Sequence, residues 1–259
     1  MRVEKIGDAT LYLGDCLDVM PSIEHRSIDM VLADPPYGTT RSKWDSIIHL
    51  QPMWEQFDRL CVGPIVLTAQ TPFDKVLGAS NLRDLRYEWI WEKTHPTGHL
   101  NAKRAPMKAH ENVLVFYRQT GTYNPIMTHG HVRKTAKKSR DLSPVYGRQN
   151  VEGVSYDSTS RYPRSVLTFA SDKQRSNLHP AQKPVALLDY LVRTYTHAGQ
   201  LVLDNCMGSA SSGIAALMNG RKYIGIEKDP AIYDVAVRRI RDFVEASITT
   251  PYPTDKRKP

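Results

Sequence analysis

The sequence predicts an α/β fold: a doubly wound, mostly parallel sheet with helices on both faces and a basic insertion. Two observations support this prediction. Short apolar runs rich in β-branched residues recur along the chain, and several of them are separated by segments with helical periodicity. Strands that alternate with helices are typical of parallel sheets covered on both faces. The chain has 259 residues, 41% of them hydrophobic, which is enough to bury a substantial core.

Six apolar runs are predicted to be buried strands because they are short and rich in residues that favour strands. They are residues 30–33, 65–68, 87–91, 112–117, 201–203 and 223–226. Trp89 and Trp91 lie on the same side of the third run, and we expect them in the core rather than on a surface that stacks on bases.

Three segments have the periodicity of amphipathic helices. The first covers residues 184–197 and begins with a proline, which is favoured at the first helical position. The second covers residues 209–219 and is followed by Gly220, a residue typical of helix ends. The third runs from 230 to about 246, with Asp229 as its predicted N-cap.

The positive charge of the chain is concentrated between residues 118 and 164. The formal net charge is +8, and this segment has nine basic residues against three acidic ones. It is polar and lacks a sustained period, so we expect an irregular insertion. Such a segment indicates a polyanionic partner, although a solvated surface with no partner is about as common for so mild an excess. The prolines and charges of residues 249–259 predict a flexible tail.

Several classes of protein are disfavoured by the composition. No run approaches the ~18 apolar residues of a membrane helix, and the first residues lack an apolar secretory segment. Cys16, Cys61 and Cys206 are widely spaced, without the pairs that a disulfide framework or a zinc site requires. The His129 and His131 pair has no obvious third ligand. We therefore expect a cytoplasmic protein, with no membrane and no metal.

The first motif with chemical content follows the strand at 30–33. Asp34, Pro35, Pro36 and Tyr37 place a carboxylate, stiff backbone carbonyls and an aromatic ring just past the end of a predicted parallel strand. The exocyclic amine of a base is a poor nucleophile, because its lone pair is delocalised into the ring. A carboxylate and a carbonyl that each accept one N–H would make that lone pair more available. An aromatic ring could stack on the base.

Two further motifs together predict a nucleoside cofactor. Residues 203–213 (L-D-N-C-M-G-S-A-S-S-G) follow a strand and open a helix with small residues, which let a ligand approach the backbone. Glu227 ends the next strand about 20 residues later, where nucleoside-binding α/β folds place the acid that binds the ribose hydroxyls. The first of these motifs alone is weak evidence, since it is neither a P-loop nor a full dinucleotide fingerprint.

These motifs, in this order, resemble the β group of amino-group DNA methyltransferases, which comprises adenine-N6 and cytosine-N4 enzymes. Residues 34–37 resemble the catalytic motif, residues 204–208 the S-adenosylmethionine loop, and residues 179–184 (H-P-A-Q-K-P) the segment that precedes it. The resemblance implies a Rossmann-like, S-adenosylmethionine-dependent methyltransferase fold with a permuted motif order. It divides the chain into a catalytic half (1–117), an insertion that recognises the DNA target (118–164), and a cofactor-binding half (165–248).

The resemblance also implies roles for single residues. Asp34 would hold the target amine with the Pro35 carbonyl, and Tyr37 would stack on the base. Lys183 would reach the methionine carboxylate, and residues 110–112 (H-E-N) resemble a family strand start that helps to shape the base pocket. The residues implied in cofactor binding are Asp15, Cys16, Asp34, Lys183, Asp204, Met207, Gly208, Ser209 and Glu227. Those implied in nucleic-acid binding are Arg133, Lys134, Lys137, Lys138, Arg140 and Arg148.

The chain departs from the family pattern in the cofactor loop, which usually reads D-P-F-x-G-S-G-T. Here Asn205, Cys206, Ala210 and Ser211 replace P, F, G and T. The loss of the aromatic residue at Cys206 changes the packing around the methionine group, whereas the acid and the close-approach glycine are kept.

The sequence thus predicts an S-adenosylmethionine-dependent, site-specific DNA methyltransferase that extrudes its target base from double-stranded DNA and prefers adenine N6. The leading Asp34 favours adenine, because the resemblance gives cytosine-N4 enzymes a serine more often. Many relatives belong to restriction-modification systems, and a homodimer is one way to complement the short insertion. The alternatives are a cytosine-N4 enzyme, an RNA substrate, a non-catalytic nucleic-acid-binding module and, more remotely, a nicotinamide oxidoreductase.

Overall fold

A computed structural model describes residues 2–39, 45–137, 155–171 and 182–249. In that part of the chain eleven strands and six α-helices are found. The strands are β1 (Arg2–Ile6), β2 (Ala9–Leu13), β3 (Met30–Ala33), β4 (Ile65–Ala69), β5 (Leu85–Thr97), β6 (Lys108–Phe116), β7 (Lys134–Lys137), β8 (Ser155–Ser158), β9 (Val166–Phe169), β10 (Leu201–Asp204) and β11 (Lys222–Glu227). The helices are α1 (Cys16–Val19), α2 (Leu50–Leu60), α3 (Phe73–Ser80), α4 (Val185–Tyr195), α5 (Ser211–Met218) and α6 (Pro230–Thr249).

Nine strands form one sheet in the order β1-β2-β11-β10-β3-β4-β6-β5-β9. The central strands, from β2 to β4, are parallel, whereas β1 is antiparallel to β2 and β6 is antiparallel to both β4 and β5. At the far edge, β9 runs parallel to β5. All six predicted strands are present, and the prediction of a mostly parallel α/β sheet is confirmed.

Helices cover both faces of this sheet, which makes the fold doubly wound. Successive side chains of a strand point to opposite faces. Met30 and Leu32 of β3 accordingly pack in a core with side chains of α4, α5 and α6, whereas Val31 and Ala33 pack in a second core with side chains of α1, α2 and α3. Trp89 and Trp91 are buried in the first core, as predicted.

The predicted helices exist, with small differences at their ends. Pro184 is the N-cap of α4 rather than its first helical residue. Helix α5 begins at Ser211, two residues later than predicted, because Ala210 adopts a left-handed conformation with φ of 58°. Gly220 has φ of 68° just past α5, as expected of a C′ glycine. The side chain of Asp229 accepts hydrogen bonds from two backbone N–H groups of α6, so its predicted capping role is confirmed.

Other elements carried no clear sequence signal. The β1–β2 hairpin, helices α2 and α3, and strand β9 were not predicted. The expectation of an irregular insertion is wrong in part, because β7 and β8 pair as a two-stranded antiparallel sheet within it. The chain forms two compact units, residues 1–124 with 165–258 and residues 125–164. No helix in the described ranges is both long and apolar enough to cross a bilayer.

The order of the strands decides where the functional residues lie. Strands β10 and β3 are adjacent and parallel, with Leu203 opposite Val31, although they are about 170 positions apart in sequence. The chain leaves β10 toward β11 on one side, while β3 leads to β4 on the other. Ligand sites of open α/β sheets form at such switch points, beyond the carboxyl ends of the strands. Asp34 and Asp204 both lie at this edge.

Candidate active site

One cavity of about 710 Å³ opens at the carboxyl ends of the parallel strands, within the larger unit. Every residue that the sequence implicated in catalysis or cofactor binding contributes to its wall. These residues are Asp15, Cys16, Asp34, Pro35, Pro36, Tyr37, Lys183, Asp204, Met207, Gly208, Ser209 and Glu227. The catalytic motif and the cofactor loop therefore share one recess.

The carboxylate of Asp34 is held on both of its oxygens. Tyr37 donates its hydroxyl hydrogen to Oδ1 at 2.7 Å, and the Thr68 hydroxyl also donates to Oδ1. Lys183 places its Nζ 2.6 Å from Oδ2. The Asp34 side chain nevertheless remains 27% exposed, so a ligand in the cavity can still reach it. The role of Thr68, near the end of β4, was not predicted, because a threonine within an apolar run is common in strands and carries no functional signal.

The ring of Tyr37 has neighbours of its own. It stacks on Phe73 with 5.6 Å between ring centroids and 24° between planes, and Lys183 Nζ lies 5.3 Å from its centroid. Burial raises the pKa of Tyr37 well above its usual value, and the nearby carboxylates of Asp34 and Glu111 raise it further. The hydroxyl therefore stays protonated and acts as a donor to Asp34.

Behind Asp34 lies a second carboxylate, Glu111 of β6. Its Oε2 is 3.2 Å from Lys183 Nζ, and its Oε1 is 2.6 Å from Lys93 Nζ. The Lys93 side chain is only 8% exposed and is paired with Glu111, so it is not a solvated surface lysine.

On the other side of the cavity, Glu227 closes the cofactor loop. Its Oε2 accepts a hydrogen bond from the backbone N–H of Gly208 at 3.0 Å, and its Oε1 accepts one from Asp229 at 2.9 Å. Each carboxylate oxygen has a further lone pair, so both can still accept from a ligand. Gly208 has φ of 51°, and a Cβ there would meet nothing within 4 Å. Its backbone is open to close approach by a ligand, although a side chain would be strained at this φ.

Asp15 and the two cysteines of the cavity have mainly local partners. Asp15 caps α1, accepting from the backbone N–H of Leu17 at 2.9 Å. The Asn205 amide lies between the thiols, donating to Cys16 Sγ at 3.6 Å and accepting from Cys206 at 3.7 Å. Burial raises the pKa of Cys16 to about 11 and that of Cys206 well above its usual value. Both thiols are therefore protonated and act as small packing groups, and Cys206 does so where the family pattern has an aromatic residue.

Two residues whose roles were not predicted from the sequence, Arg239 and Ser212, hold the cofactor loop in place. Arg239 of α6 donates to the Ser209 carbonyl at 2.9 Å and to the Ser211 hydroxyl at 2.9 Å. Ser212 donates its hydroxyl hydrogen to Asp204, which is 4% exposed, and Asp204 also accepts from the backbone N–H of Cys206 at 3.1 Å. Asp204 thus shapes the loop from within.

Burial raises the pKa of Asp204 to about 7, against the opposing effect of its hydrogen bonds. A carboxyl whose pKa is higher in the folded protein keeps its proton where the unfolded chain has lost it, so stability falls as pH rises from about 4 to about 7. Asp204→Asn removes this loss. We expect the stability gap, which is the free energy of unfolding of the variant minus that of the parent protein, to rise by roughly 3 kcal/mol from about pH 4 to about pH 7.

Urea unfolding at a series of pH values measures this gap. The matched control is Asp242→Asn, which makes the same substitution at an exposed carboxylate of α6. Parallel stability curves for Asp204→Asn and the parent protein would contradict the assignment.

One buried polar side chain in the described part of the cavity has no partner. Gln182 is 5% exposed, and neither its amide nitrogen nor its amide oxygen makes a hydrogen bond. A buried amide without partners is costly, which indicates that a ligand supplies them. An amide that donates and accepts, next to the Lys183 ammonium, suits the carboxylate and ammonium of an amino-acid tail. With the Glu227 carboxylate opposite, the donor set fits S-adenosylmethionine.

Of the six residues implied in nucleic-acid binding, Lys138, Arg140 and Arg148 lie outside the described residues. Lys134 and Lys137 are the ends of β7 in the smaller unit, and Lys134 is exposed. Arg133 is exposed as well, but its guanidinium donates to both oxygens of Asp157, one of them at 2.7 Å.

Lys183 is held by Asp34 and Glu111, so the implied contact with a methionine carboxylate requires the Lys183 ammonium to turn or to share its hydrogens.

Comparison with known proteins identifies relatives over most of the chain. The type II methyltransferase M.HinfI of Haemophilus influenzae is 26% identical over an alignment of 276 positions, gaps included, that covers 93% of this chain and 71% of that protein. The DNA adenine methyltransferase YhdJ of Escherichia coli (strain K12) is 25% identical over 256 residues, covering 89% of this chain and 82% of YhdJ.

Solved structures share the fold. The complex of M1.HpyAVI with S-adenosylmethionine superposes with a TM-score of 0.62 at 19% identity, covering 90% of this chain and 98% of the other. The cytosine-N4-specific PvuII DNA methyltransferase gives 0.63 at 15% identity, covering 95% and 94%. The DNA methylase family, N6_N4_Mtase, matches residues 74–238, which is more than half of the chain. The protein therefore belongs to this family of S-adenosylmethionine-dependent N6/N4 DNA methyltransferases.

Proposed function

We propose that the protein methylates the N6 amine of adenine within a specific sequence of double-stranded DNA. The observation that carries this proposal is the single cavity that joins the Asp34 carboxylate to the Gly208–Glu227 side of the cofactor loop. The aspartate that opens the motif favours adenine over cytosine. YhdJ, which aligns with most of the chain, is named as an adenine enzyme.

The chemistry required of the protein is to prepare a weak nucleophile. The target amine would donate one N–H hydrogen bond to Asp34 and the other to the Pro35 carbonyl. This arrangement leaves the nitrogen lone pair directed at the methyl group. Tyr37 and Thr68 fix the orientation of the Asp34 carboxylate by donating to Oδ1. Oδ2 is paired with Lys183, and because the carboxylate can accept up to about four hydrogen bonds, lone pairs remain for the amine.

S-adenosylmethionine supplies an activated methyl group on a sulfonium, so no metal is required for the transfer. The residues of the chain would bind it at two ends, with Glu227 at the ribose and Gln182 with Lys183 at the amino-acid tail. Gly208 allows the loop backbone to come close. Alignment of the two reactants in a cavity that excludes water supplies a large part of the rate acceleration.

The target amine cannot reach the cavity from within a duplex, so the base must be extruded at a cost of a few kcal/mol. We propose that residues 118–164 hold the DNA around the extruded base, through phosphate contacts of their lysines and arginines. A second subunit would extend these contacts over the full site, and sedimentation of the protein with and without DNA tests for a homodimer.

Lys134 is the most direct test of this DNA contact, because its side chain is exposed on β7. We expect Lys134→Ala to weaken DNA binding and to reduce the slope of log K against log salt by about 1, since one phosphate contact is lost. Fluorescence anisotropy at several salt concentrations measures the slope. Lys222→Ala, at an exposed position of β11 in the other unit, is the control and should leave the slope unchanged.

Analysis of nucleosides tests the modified base. DNA from cells that express the protein, digested and separated by mass spectrometry, should contain N6-methyladenine that is absent when Asp34→Asn is expressed. N4-methylcytosine in its place would overturn the adenine assignment while retaining the family chemistry. Sequencing that detects modified bases would then give the recognition sequence.

A further inference from the structure

A continuous series of ion pairs lies beneath the target site and links four charged side chains: Lys93, Glu111, Lys183 and Asp34. The separations are 2.6 Å from Lys93 Nζ to Glu111, 3.2 Å from Glu111 to Lys183 Nζ, and 2.6 Å from Lys183 Nζ to Asp34. Both lysine side chains are 8% exposed and Glu111 is 11% exposed. Asp34, which faces the cavity, is at one end of this series of ion pairs, and Lys93 is at the other end.

The two carboxylates balance the two ammonium groups. Burial alone would raise the pKa of Glu111, but Lys183 and Lys93 outweigh it and lower that pKa below the ordinary value. Burial would lower the pKa of Lys183, but Asp34 and Glu111 raise it. Glu111 and Lys183 are therefore both held in their charged forms. Because an unpaired charge in such a place is strongly destabilising, removal of any one must redistribute the others.

We propose that Lys93 is a positioning residue for methyl transfer: it neutralises Glu111 and thereby leaves Lys183 to hold the Asp34 carboxylate. This inference rests on the proposed function of Asp34. Three ion pairs separate Lys93 from Asp34, so Lys93 acts through Glu111, which contacts both Lys183 and, at 3.3 Å, the Tyr37 hydroxyl.

The distances show how the Lys183 ammonium is shared between the Asp34 and Glu111 carboxylates. Its Nζ lies 0.6 Å closer to Asp34 than to Glu111, which already has Lys93 on its other oxygen. Without Lys93, Glu111 would have one cation left and would compete with Asp34 for it. Lys183 would move toward Glu111, and Asp34 would lose the partner that fixes Oδ2.

The fold holds Lys93 in place for this role. In the β5–β6 hairpin Trp91 is opposite Glu111, so Lys93, two residues further along the same face, is a diagonal neighbour of Glu111. Its Nζ also lies 5.4 Å from the centroid of the Trp91 ring, a cation–π distance. Lys93 is thus fixed by two contacts at the base of the cavity.

A pair of substitutions tests the inference. We expect Lys93→Met, which keeps the length of the side chain and removes its charge, to lower kcat by about 10²-fold with little change in KM for DNA, because Asp34 is displaced. Adding Glu111→Gln removes the unbalanced carboxylate and leaves the Lys183–Asp34 pair neutral. The double variant should therefore recover to within about threefold of Glu111→Gln alone.

This rescue separates a charge effect from a packing effect, because lost contacts of the Lys93 stem would not be restored by a change at Glu111. Lys93→Arg keeps the charge and should retain most of the activity, and Lys222→Met is the control for loss of a lysine at an exposed position. A crystal structure of Lys93→Met should show Lys183 Nζ closer to Glu111 than to Asp34.

The outcomes are distinct. Rescue in the double variant, with the displaced Lys183 in the crystal structure, supports the inference. A folded Lys93→Met variant with parental kcat, or one that Glu111→Gln does not rescue, overturns it while the proposed function stands. An inactive parent protein that transfers no tritiated methyl group from S-adenosylmethionine to unmethylated DNA overturns the proposed function instead.

Discussion

Asp34→Asn should abolish methyl transfer while binding of S-adenosylhomocysteine survives. The amide keeps the shape of the side chain, but it has one acceptor oxygen in place of two and presents N–H groups to the target amine or to Lys183. We expect turnover to fall by roughly 10³-fold or more, the scale seen when a principal electrostatic or acid–base group is removed. Affinity for S-adenosylhomocysteine should stay within about threefold, because Asp34 interacts with the amine side of the cavity.

Transfer of tritiated methyl groups to DNA measures the first quantity and titration calorimetry the second. The control is Asp242→Asn, which alters an exposed carboxylate on α6 far along the chain from either motif. Near-parental turnover in a folded Asp34→Asn variant would remove Asp34 from catalysis. Loss of cofactor-product binding together with turnover would assign it a structural role instead.

The composition of this cavity could be predicted from the sequence because it depends on strand ends. The apolar runs before Asp34 and Asp204 identify buried strands, and parallel strands present their carboxyl ends at one edge of the sheet. Residues at those ends converge whatever the length of chain between them. The sequence therefore placed both the catalytic motif and the cofactor loop at strand ends, and the pairing of β10 with β3 brings them together.

The contacts themselves could not be predicted, because they depend on register and on side-chain geometry. Lys93 meets Glu111 only through the pairing of β5 with β6, which shifts register between Glu92 and Thr97. Gln182 lies in a segment that the resemblance identified, yet its unpartnered amide is visible only from its burial. The start of α5 was misplaced because the left-handed Ala210 occupies a position where the family has glycine.

Missed elements have a similar explanation. The β1 strand at the edge of the sheet is largely exposed, so its sequence lacks the apolar run that identified the central strands. Strands β7 and β8 have four residues each, which is too short for a period to be recognised. The strand predictions succeeded where burial dictates composition and failed at β1, β7 and β8, where a short or exposed element leaves the choice of residues free.

Glu227→Ala should reduce affinity for S-adenosylhomocysteine by about 10²-fold, because each hydrogen bond to a charged group contributes roughly 1.5–3 kcal/mol. The carboxylate accepts from the backbone N–H groups of Gly208 and Asp229 and has lone pairs left for the ribose hydroxyls. Calorimetry measures the loss, with Glu24→Ala, an exposed acid elsewhere in the fold, as the control.

An analogue without the ribose 2′-hydroxyl separates the ligand contact from the support that Glu227 gives to the loop. If Glu227 binds the hydroxyls, the analogue should bind the parent protein weakly and lose less on substitution than S-adenosylhomocysteine does, since part of the interaction is already absent. Equal losses for both ligands would mean that Glu227 acts only by holding Gly208 in its left-handed conformation. The cavity would then be a nucleoside site shaped by the loop backbone, and its recognition of the ribose would have to come from another residue.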